Sequence, residues 1–242
     1  MVVADDAELG RVLCLRAGMV GLGMIFDETY RPFFENVHRD RLYDRRFGVL
    51  DVTLASVASR TGTRAESYRR AAPPGMQGFR SYVQPHAMDQ LLQDNVDFVC
   101  IATPDDRHFA AARAALEAGK HVLIEKPSVL NLVELDELQQ LAQQHQVLAK
   151  VVYHKLLDPD HKKLRTLVAD QQLKHVNSGY CSLLEPKQIS GEQFAEWIEG
   201  RNPGTYVAVH YMKLIDFTFG GTLASVTATG QRGIVGAMDG HT

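Results

Sequence analysis

Residues 13–26 read LCLRAGMVGLGMIF and combine an apolar run, a glycine turn and the start of a helix. The run from Leu13 to Val20 is interrupted by a single charged residue, Arg16. A short apolar run that leads into a glycine pair is typical of a buried strand. Met24 to Asn36 then places large apolar side chains at helical spacing, although Pro32 is expected to strain the middle of that helix. The stretch therefore predicts a strand, a turn and a helix in that order.

Strands and helices continue to alternate after this stretch. Strands are predicted at Val52–Ala58, Val96–Thr103, His121–Ile124 and Leu148–Tyr153, and helices at Arg64–Arg70, His86–Gln93, Pro104–Ala118 and Leu132–Leu141. The charged segment His38–Asp51 is predicted to be solvated, and Ala72–Gly78 to be a loop. Such alternation indicates a parallel sheet with right-handed crossovers. The sequence therefore predicts an α/β fold whose N-terminal part is a Rossmann domain with a doubly wound parallel sheet.

Gly21 and Gly23 match the first two positions of the dinucleotide-binding fingerprint, since they follow a strand and precede a helix. The first glycine permits a tight turn, and the second lets the backbone approach a pyrophosphate. The helix N-terminus, where Met24 and Ile25 lie, offers N–H groups to that phosphate. Phe26 occupies the third position in place of glycine or alanine, which predicts looser helix–strand packing. A bare Gly-x-Gly also fits an ordinary strand-to-helix turn, but its place in an alternating chain favours the cofactor site.

The end of the second predicted strand indicates which nicotinamide cofactor is bound. An acidic residue there would bind the ribose 2′-hydroxyl of NAD and repel a 2′-phosphate. This strand ends in Ser59-Arg60, with Arg64 one helical turn further on and no acid at that point. A hydroxyl and a guanidinium suit a 2′-phosphate. NADP is therefore the preferred cofactor and NAD the alternative; if Arg60 is only an exposed loop residue, the choice is made elsewhere.

Composition excludes several classes of protein. The 242 residues are 45% hydrophobic and 23% charged, which is too apolar for a disordered chain and long enough for more than one domain. The net charge of −3 gives no reason to expect nucleic acid or an anionic membrane as a partner. The acidic start, Met1–Gly10, is unlike a signal peptide. Three widely spaced cysteines favour the reducing cytoplasm and neither a disulfide framework nor a metal site.

Glu125-Lys126-Pro127, directly after a buried strand, is the most specific local signal. Together with Ile101-Ala102-Thr103-Pro104 and His108, it strongly resembles the Gfo/Idh/MocA family of glucose–fructose oxidoreductases, inositol dehydrogenases and rhizopine-catabolism proteins. The resemblance extends from about Leu15 to Gly230. Val152-Tyr153-His154-Lys155 resembles the start of that family's second domain, and Val209-His210 resembles its catalytic helix.

The resemblance implies a Rossmann domain followed by an α+β domain, and hydride transfer between NAD(P) and a carbon–oxygen bond of a sugar, cyclitol or polyol. It implies that Lys126 hydrogen-bonds the reacting oxygen and that His210 is the acid/base. Both roles are chemically sound, because imidazole exchanges protons near neutral pH and an ammonium stabilises developing alkoxide charge. Glu125 would position Lys126 or contact the cofactor, and the bond before Pro127 is one that can be cis.

Several other residues are candidates for the cofactor site or the substrate cleft. Thr103 and Pro104 are expected to contact the cofactor through their backbone, and His108 to hold the loop after Thr103 at that site. His154 and Lys155 are either cleft residues or an ordinary strand end. Trp197 is either packing or a platform for a sugar.

Two departures from the family pattern bear on activity. The family usually has an aspartate four residues before the catalytic histidine, and here that position is Tyr206. A tyrosine can donate a hydrogen bond, so it is a candidate auxiliary donor, but it carries no charge at neutral pH. Family chains are also typically longer, so the sequence is interpreted as a C-terminally shortened form.

The predicted organisation is a tail at 1–10, an NAD(P)-binding Rossmann domain at 11–153 and a truncated α+β substrate or dimerisation domain at 154–242. Within the second domain, helices are predicted at Asp158–Asp170, Phe194–Ile198 and Thr205–Phe219, and strands at Val176–Leu184 and Leu223–Gly230.

The leading hypothesis is an NAD(P)-dependent oxidoreductase acting on a small sugar or polyol, with homo-oligomerisation through the second domain if that domain is sufficiently complete. The alternative is a non-catalytic NAD(P)-binding sensor or interaction protein derived from that family. A third reading is an unstable chain with no function of its own.

Overall fold

The computed structural model describes residues 12–71, 73–184, 186, 188–189 and 202–230. It divides into two compact units, Met1–Val151 and Val152–Thr242. The predicted tail at 1–10, the predicted helix at 194–198 with Trp197, and the glycine-rich residues 233–242 lie outside the described residues.

The first unit is built on a seven-stranded sheet. Its strands are β1 (Val12–Val20), β2 (Leu42–Asp44), β3 (Gly48–Ser59), β4 (Arg80–Val83), β5 (Phe98–Ile101), β6 (His121–Glu125) and β7 (Ala149–Val152). The order is β2-β3-β1-β5-β6-β7, with β4 also paired to β3. The pairs β1–β3, β1–β5, β3–β4 and β5–β6 are parallel, and β2–β3 is antiparallel. The strand order reverses between the neighbours β1 and β5, because the chain builds β3 and β4 on one side of β1 and then crosses to build β5 and β6 on the other. This confirms the doubly wound α/β prediction.

Seven α-helices lie within the described residues of the two units. They are α1 (Arg31–Asp40), α2 (Thr63–Ala71), α3 (Ala87–Gln93), α4 (His108–Glu117), α5 (Leu132–Gln144), α6 (Pro159–Ala169) and α7 (Val209–Phe219). None of the helices among the described residues is both long and apolar enough to cross a membrane.

Two hydrophobic clusters cover the two faces of the sheet. Successive strand residues point to opposite faces, so Met19 enters the cluster that contains Phe34 of α1, while Val20 enters the cluster that contains Leu116 of α4. Gly18 allows close approach on the second face, because a Cβ there would lie 2.8 Å from Cδ2 of Leu91 in α3. Burial on both faces explains why these strands lack polar alternation.

Pro32 does not break the helix that follows the glycine turn. A π-helical turn, Phe26–Tyr30, precedes α1, and Pro32 falls within the first two positions of α1. A proline in the first turn of a helix removes an N–H that has no intrahelical partner there. The helical run 24–40 thus continues through Pro32, and the π-turn directly before the proline is the local irregularity in it.

Strand boundaries are the main corrections in the first unit. Part of the segment predicted as solvated, His38–Asp51, forms the β2–β3 hairpin. The predicted loop Ala72–Gly78 is followed by the edge strand β4, which the sequence analysis did not predict. Edge strands tolerate charge because one side of each is not buried, and Arg46 of the hairpin turn pairs with Asp44 at 3.3 Å. The charged residues of these segments therefore favoured a solvated loop over the strand pairings that form.

The second unit contains α6 and α7, which pack against each other, with Arg165 lying 4.7 Å over the ring of Phe217. The strands predicted at 176–184 and 223–230 are wrong, since the described residues there have no ladder partner. Tyr180 and Leu184 are each 93% exposed. Alternating side chains favour a strand only where a neighbouring strand supplies backbone hydrogen bonds.

Candidate functional site

The glycine turn after β1 can accept only glycine at its first position. Gly21 has φ +92°, and its N–H donates to the Ala58 carbonyl oxygen at 3.0 Å. A Cβ at this position would lie 2.5 Å from the Ala102 carbonyl oxygen. The turn therefore passes directly against the carboxyl end of β5, at the point where the sheet order reverses.

Gly23 faces open space and meets the requirement for a phosphate cradle. Among the described residues, no atom would lie within 4 Å of a Cβ at Gly23. The N–H of Asp27 donates to the Gly23 carbonyl at 3.3 Å, so the helix starts at this glycine. The earlier N–H groups of that turn, which include those of Met24 and Ile25, have no intrahelical partner by helix geometry. They are suited to bind an anionic pyrophosphate.

Phe26 is part of the core of this site. Its side chain is fully buried, and its ring centroid lies 5.3 Å from that of Tyr68 in α2. The helix–strand packing expected to be looser here is instead filled, because Phe26 begins the π-turn and its ring occupies the space between the helix and the sheet.

Thr103 and Pro104 follow β5, and Thr103 faces the glycine turn. The Thr103 methyl would lie 3.2 Å from a Cβ at Gly21. The Thr103 hydroxyl oxygen is buried and has no hydrogen-bond partner among the described residues. Buried polar groups are normally paired, so this hydroxyl fits a site that a polar cofactor completes. Pro104 caps the short 3-10 turn Asp105–Arg107 that leads into α4.

His108 joins the two loops that follow β5 and β6. It is 1% exposed, and its Nε2 lies 2.8 Å from the Thr103 carbonyl oxygen and its Nδ1 2.7 Å from that of Pro127. Because a carbonyl oxygen only accepts, the ring donates to both at once only as the imidazolium. The loop-holding role expected for His108 therefore has a direct geometric basis.

We expect His108→Ala to lower the free energy of unfolding by roughly 2–4 kcal/mol, because two carbonyl oxygens lose their partner and a buried ring is removed. Urea denaturation followed by circular dichroism measures this. His145→Ala, at an exposed position after α5, is the matched control and should change little. Equal stability of the two variants would contradict the loop-holding role.

The arginines near the second strand are not equivalent. Arg60 is exposed at the end of β3. Ser59 Oγ accepts the Gly62 N–H at 3.1 Å, which leaves the hydroxyl proton available to donate. Arg64, in contrast, forms an ion pair with Asp27, whose carboxylate also accepts from the Tyr68 hydroxyl. The charge of Arg64 is thus shared with an acid from another element, and its contact with the cofactor stays a prediction.

Glu125 is the last residue of β6, Lys126 and Pro127 follow it, and the Lys126–Pro127 peptide bond is cis. Glu125 is 5% exposed and accepts a hydrogen bond from the Tyr30 hydroxyl at 3.0 Å. Burial raises the pKa of the Glu125 carboxyl, while the Tyr30 hydroxyl, the backbone N–H of Lys126 and the Lys126 charge act in the opposite direction. Lys126 itself is half-buried. A buried carboxylate thus lies immediately behind the candidate catalytic lysine.

The second unit holds the other candidate catalytic residues. His210 is 4% exposed, and its ring centroid lies 4.7 Å from that of His154 and 6.1 Å from that of Tyr153. Tyr206 is half-buried in the π-helical turn Gly204–Ala208 that precedes α7. The five-residue hydrogen-bond spacing of a π-turn alters the same-face relation that an α-helix would give to Tyr206 and His210. His154 and His210 thus lie in one aromatic cluster within the second unit, and both readings of His154 stay open.

Sequence reasoning missed Tyr30 and Asp27. Both lie within the helix that the glycine fingerprint predicted, but their partners Glu125 and Arg64 are distant in the sequence. An acid one turn after Gly23 was the available signal for Asp27. No local signal indicated that Tyr30 faces β6.

Within the part of the chain that the structure describes, no group of three or more His, Cys, Asp or Glu side chains is arranged to hold a metal ion.

The strand order, the glycine turn at the sheet reversal and the helix that starts from it define a dinucleotide-binding Rossmann domain.

The comparison with protein families agrees with this class. Residues 15–153 match the family described as "Oxidoreductase family, NAD-binding Rossmann fold" (GFO_IDH_MocA). The chain belongs to the GFO_IDH_MocA oxidoreductase family.

Two curated relatives illustrate the range of this similarity. The UDP-N-acetylglucosamine 3-dehydrogenase of Acidithiobacillus ferrooxidans is 30% identical over 151 residues, which are 62% of this chain and 41% of that protein. An inositol 2-dehydrogenase of Corynebacterium glutamicum is 32% identical over 161 residues, 64% of this chain and 41% of that protein. The chain spans less than half the length of these two relatives.

Solved structures share the fold at low identity. The WlbA dehydrogenase of Bordetella pertussis, in complex with NADH and UDP-GlcNAcA, has a TM-score of 0.74 at 19% identity, covering 94% of this chain and 61% of that one. The scyllo-inositol dehydrogenase of Lactobacillus casei, with bound NAD(H) and scyllo-inositol, has a TM-score of 0.70 at 20% identity, covering 90% and 59%.

Proposed function

We propose that this protein is an NAD(P)-dependent oxidoreductase that acts on a CH–OH group of a sugar, cyclitol or polyol, or on the matching carbonyl in reverse. The observation that carries the proposal is the placement of two motifs at the same edge of one sheet. The Gly21 turn follows β1, and Glu125-Lys126-Pro127 begins at the last residue of β6. Ligands of such sheets bind beyond the carboxyl ends of the strands. The dehydrogenase names of the relatives support the substrate class.

The nicotinamide cofactor, when bound, accepts or returns the hydride. The chain's own residues would manage the oxygen and its proton. Lys126 would hydrogen-bond the reacting oxygen and stabilise its developing negative charge. His210 would take the hydroxyl proton during oxidation and return it during reduction. Tyr206 is proposed as an auxiliary hydrogen-bond donor on the same segment of chain.

The cofactor contacts are proposed along the first unit. Gly23, with the helix turn at Met24 and Ile25, would bind the pyrophosphate, and Gly21 would shape the turn. Thr103 would use its unpartnered hydroxyl, and Pro104 would lie beside it. We propose NADP as the preferred cofactor, on the strength of Ser59 and Arg60.

Arg60→Ala should weaken NADPH binding by about tenfold to a hundredfold and leave NADH binding unchanged, because a charge-assisted hydrogen bond to the 2′-phosphate is lost. Isothermal titration calorimetry with both cofactors measures the two affinities. Arg113→Ala, which removes an exposed arginine of α4 that pairs with Glu117, is the matched control. Equal losses for NADPH and NADH in Arg60→Ala would contradict the 2′-phosphate contact.

Turnover is the test of the proposed function itself. The 242-residue chain is incubated with NADP or NAD and a panel of sugars, inositols and nucleotide sugars, and reduced cofactor is followed by absorbance. Turnover of one class supports the proposal. Cofactor binding without any turnover would favour the alternative, a non-catalytic NAD(P)-binding protein. Failure to bind either cofactor would overturn both.

The setting of the protein is also a proposal. Cys14, Cys100 and Cys181 are free thiols, which supports a reducing compartment such as the cytoplasm.

Along α7, Met212 is 58% exposed and Ile215 50% exposed. Exposed apolar side chains on one helix support a homo-oligomer that forms through the second unit.

A further inference from the structure

A buried polar contact involves Glu125, the residue that precedes Lys126. The Tyr30 hydroxyl donates to Oε1 of Glu125 at 3.0 Å, and the two side chains are 7% and 5% exposed. Tyr30 comes from the π-turn that follows the glycine turn, and Glu125 is the last residue of β6. The contact therefore links the helix of the cofactor site to the residue that precedes the candidate catalytic lysine.

The surroundings of this contact are poor in charge. Cys100 of β5 is buried beside Glu125, and burial raises the pKa of its thiol to about 12. Burial also raises the pKa of the Tyr30 phenol, so this group stays protonated and remains a donor throughout the neutral range. The titratable groups that face Glu125 are thus Tyr30, Cys100 and Lys126. A carboxylate in such a site stays ionised only with help from its neighbours.

We propose that Tyr30 is a positioning residue that acts on Lys126 through Glu125, by donating the hydrogen bond that holds the Glu125 carboxylate ionised. An ionised Glu125 keeps a negative charge next to the Lys126 ammonium and accepts its backbone N–H. That charge attracts the Lys126 ammonium and limits where its side chain can point. The catalytic part of this inference rests on the proposed function, since it assumes that Lys126 contacts the reacting oxygen.

Tyr30→Phe removes the hydroxyl and keeps the ring. The loss of a hydrogen bond to a charged group raises the pKa of Glu125, so the acid limb of the kcat profile should move up by about one pH unit and kcat below it should fall about tenfold. The assay follows carbonyl reduction, because His210 must then be protonated and contributes only the basic limb. KM for the cofactor should change little.

Tyr82→Phe is the matched control, because the Tyr82 hydroxyl also donates to a carboxylate, that of Asp94, at 3.0 Å. It should leave the acid limb in place. Glu125→Gln removes the charge outright, so adding Tyr30→Phe to it should cause no further loss. Additive losses, or an acid limb that does not move, would overturn the positioning role.

A second measurement does not depend on turnover. Carbon-13 NMR of protein labelled at the glutamate carboxyl carbon follows the Glu125 resonance, which is assigned by its absence in Glu125→Gln. The titration of Glu125 should move to higher pH in Tyr30→Phe and stay unchanged in Tyr82→Phe. An unchanged titration in Tyr30→Phe overturns the inference. The expected shift in a chain that shows no turnover would support the Tyr30–Glu125 coupling and count only against the proposed function.

Discussion

Replacing Lys126 with alanine should lower kcat by about a hundredfold to a thousandfold while the affinity for NADPH changes little. The reason is that the lysine ammonium stabilises charge that develops on the reacting oxygen, and such a donor acts in the transition state far more than in the cofactor complex. Loss of one preorganised donor typically has an effect of this size. Steady-state kinetics give kcat and KM, and calorimetry gives the dissociation constant for NADPH.

Lys150→Ala is a suitable control for this prediction, because Lys150 is an exposed lysine of β7 in the same unit. It should retain full activity. Lys126→Arg is expected to recover little activity, since a planar guanidinium does not present its donors as a compact ammonium does. Full activity in Lys126→Ala would remove Lys126 from the mechanism.

Gly21→Ala should disrupt the fold and the cofactor site together. Its Cβ would lie 2.5 Å from a backbone oxygen, and its φ of +92° is disfavoured for alanine. Strain and displacement of this kind should lower the free energy of unfolding by roughly 2–4 kcal/mol. That corresponds to a fall in Tm on the order of 10 °C for a unit of this size. Differential scanning fluorimetry of the cofactor-free protein measures the change.

Gly23→Ala is the matched counterpart, because the structure leaves open space at that position. Its Tm without cofactor should stay within about 2 °C of the parent, since the methyl group meets no atom of the residues that the structure describes. NADPH affinity should nevertheless fall at least about tenfold, because the methyl occupies the approach of the pyrophosphate. A variant that loses stability but binds NADPH normally would place the phosphate elsewhere. The pair of variants thus separates a glycine needed by the fold from one needed by the ligand.

Patterns that are local in the sequence were the ones that predicted structure correctly. The run ending at Val20 and the glycines after it predicted the strand, the turn and the helix, because burial and backbone conformation act within a few residues. Alternation of later strands and helices predicted the parallel sheet. The strand predictions for 176–184 and 223–230 were wrong, because period-two alternation cannot show whether a partner strand exists.

Local motifs of the site could be predicted from the sequence, and its long-range contacts could not. The sequence alone determined that this protein has a dinucleotide-type glycine turn at Gly21 and a Glu-Lys-Pro motif at Lys126, because both are properties of adjacent residues. Only the tertiary structure decided that Asp27 engages Arg64 and that Tyr30 supports Glu125. Those pairs are 37 and 95 residues apart. Contacts at such separations exist only after the sheet has brought its strands and helices together, and local periodicity carries no information about them.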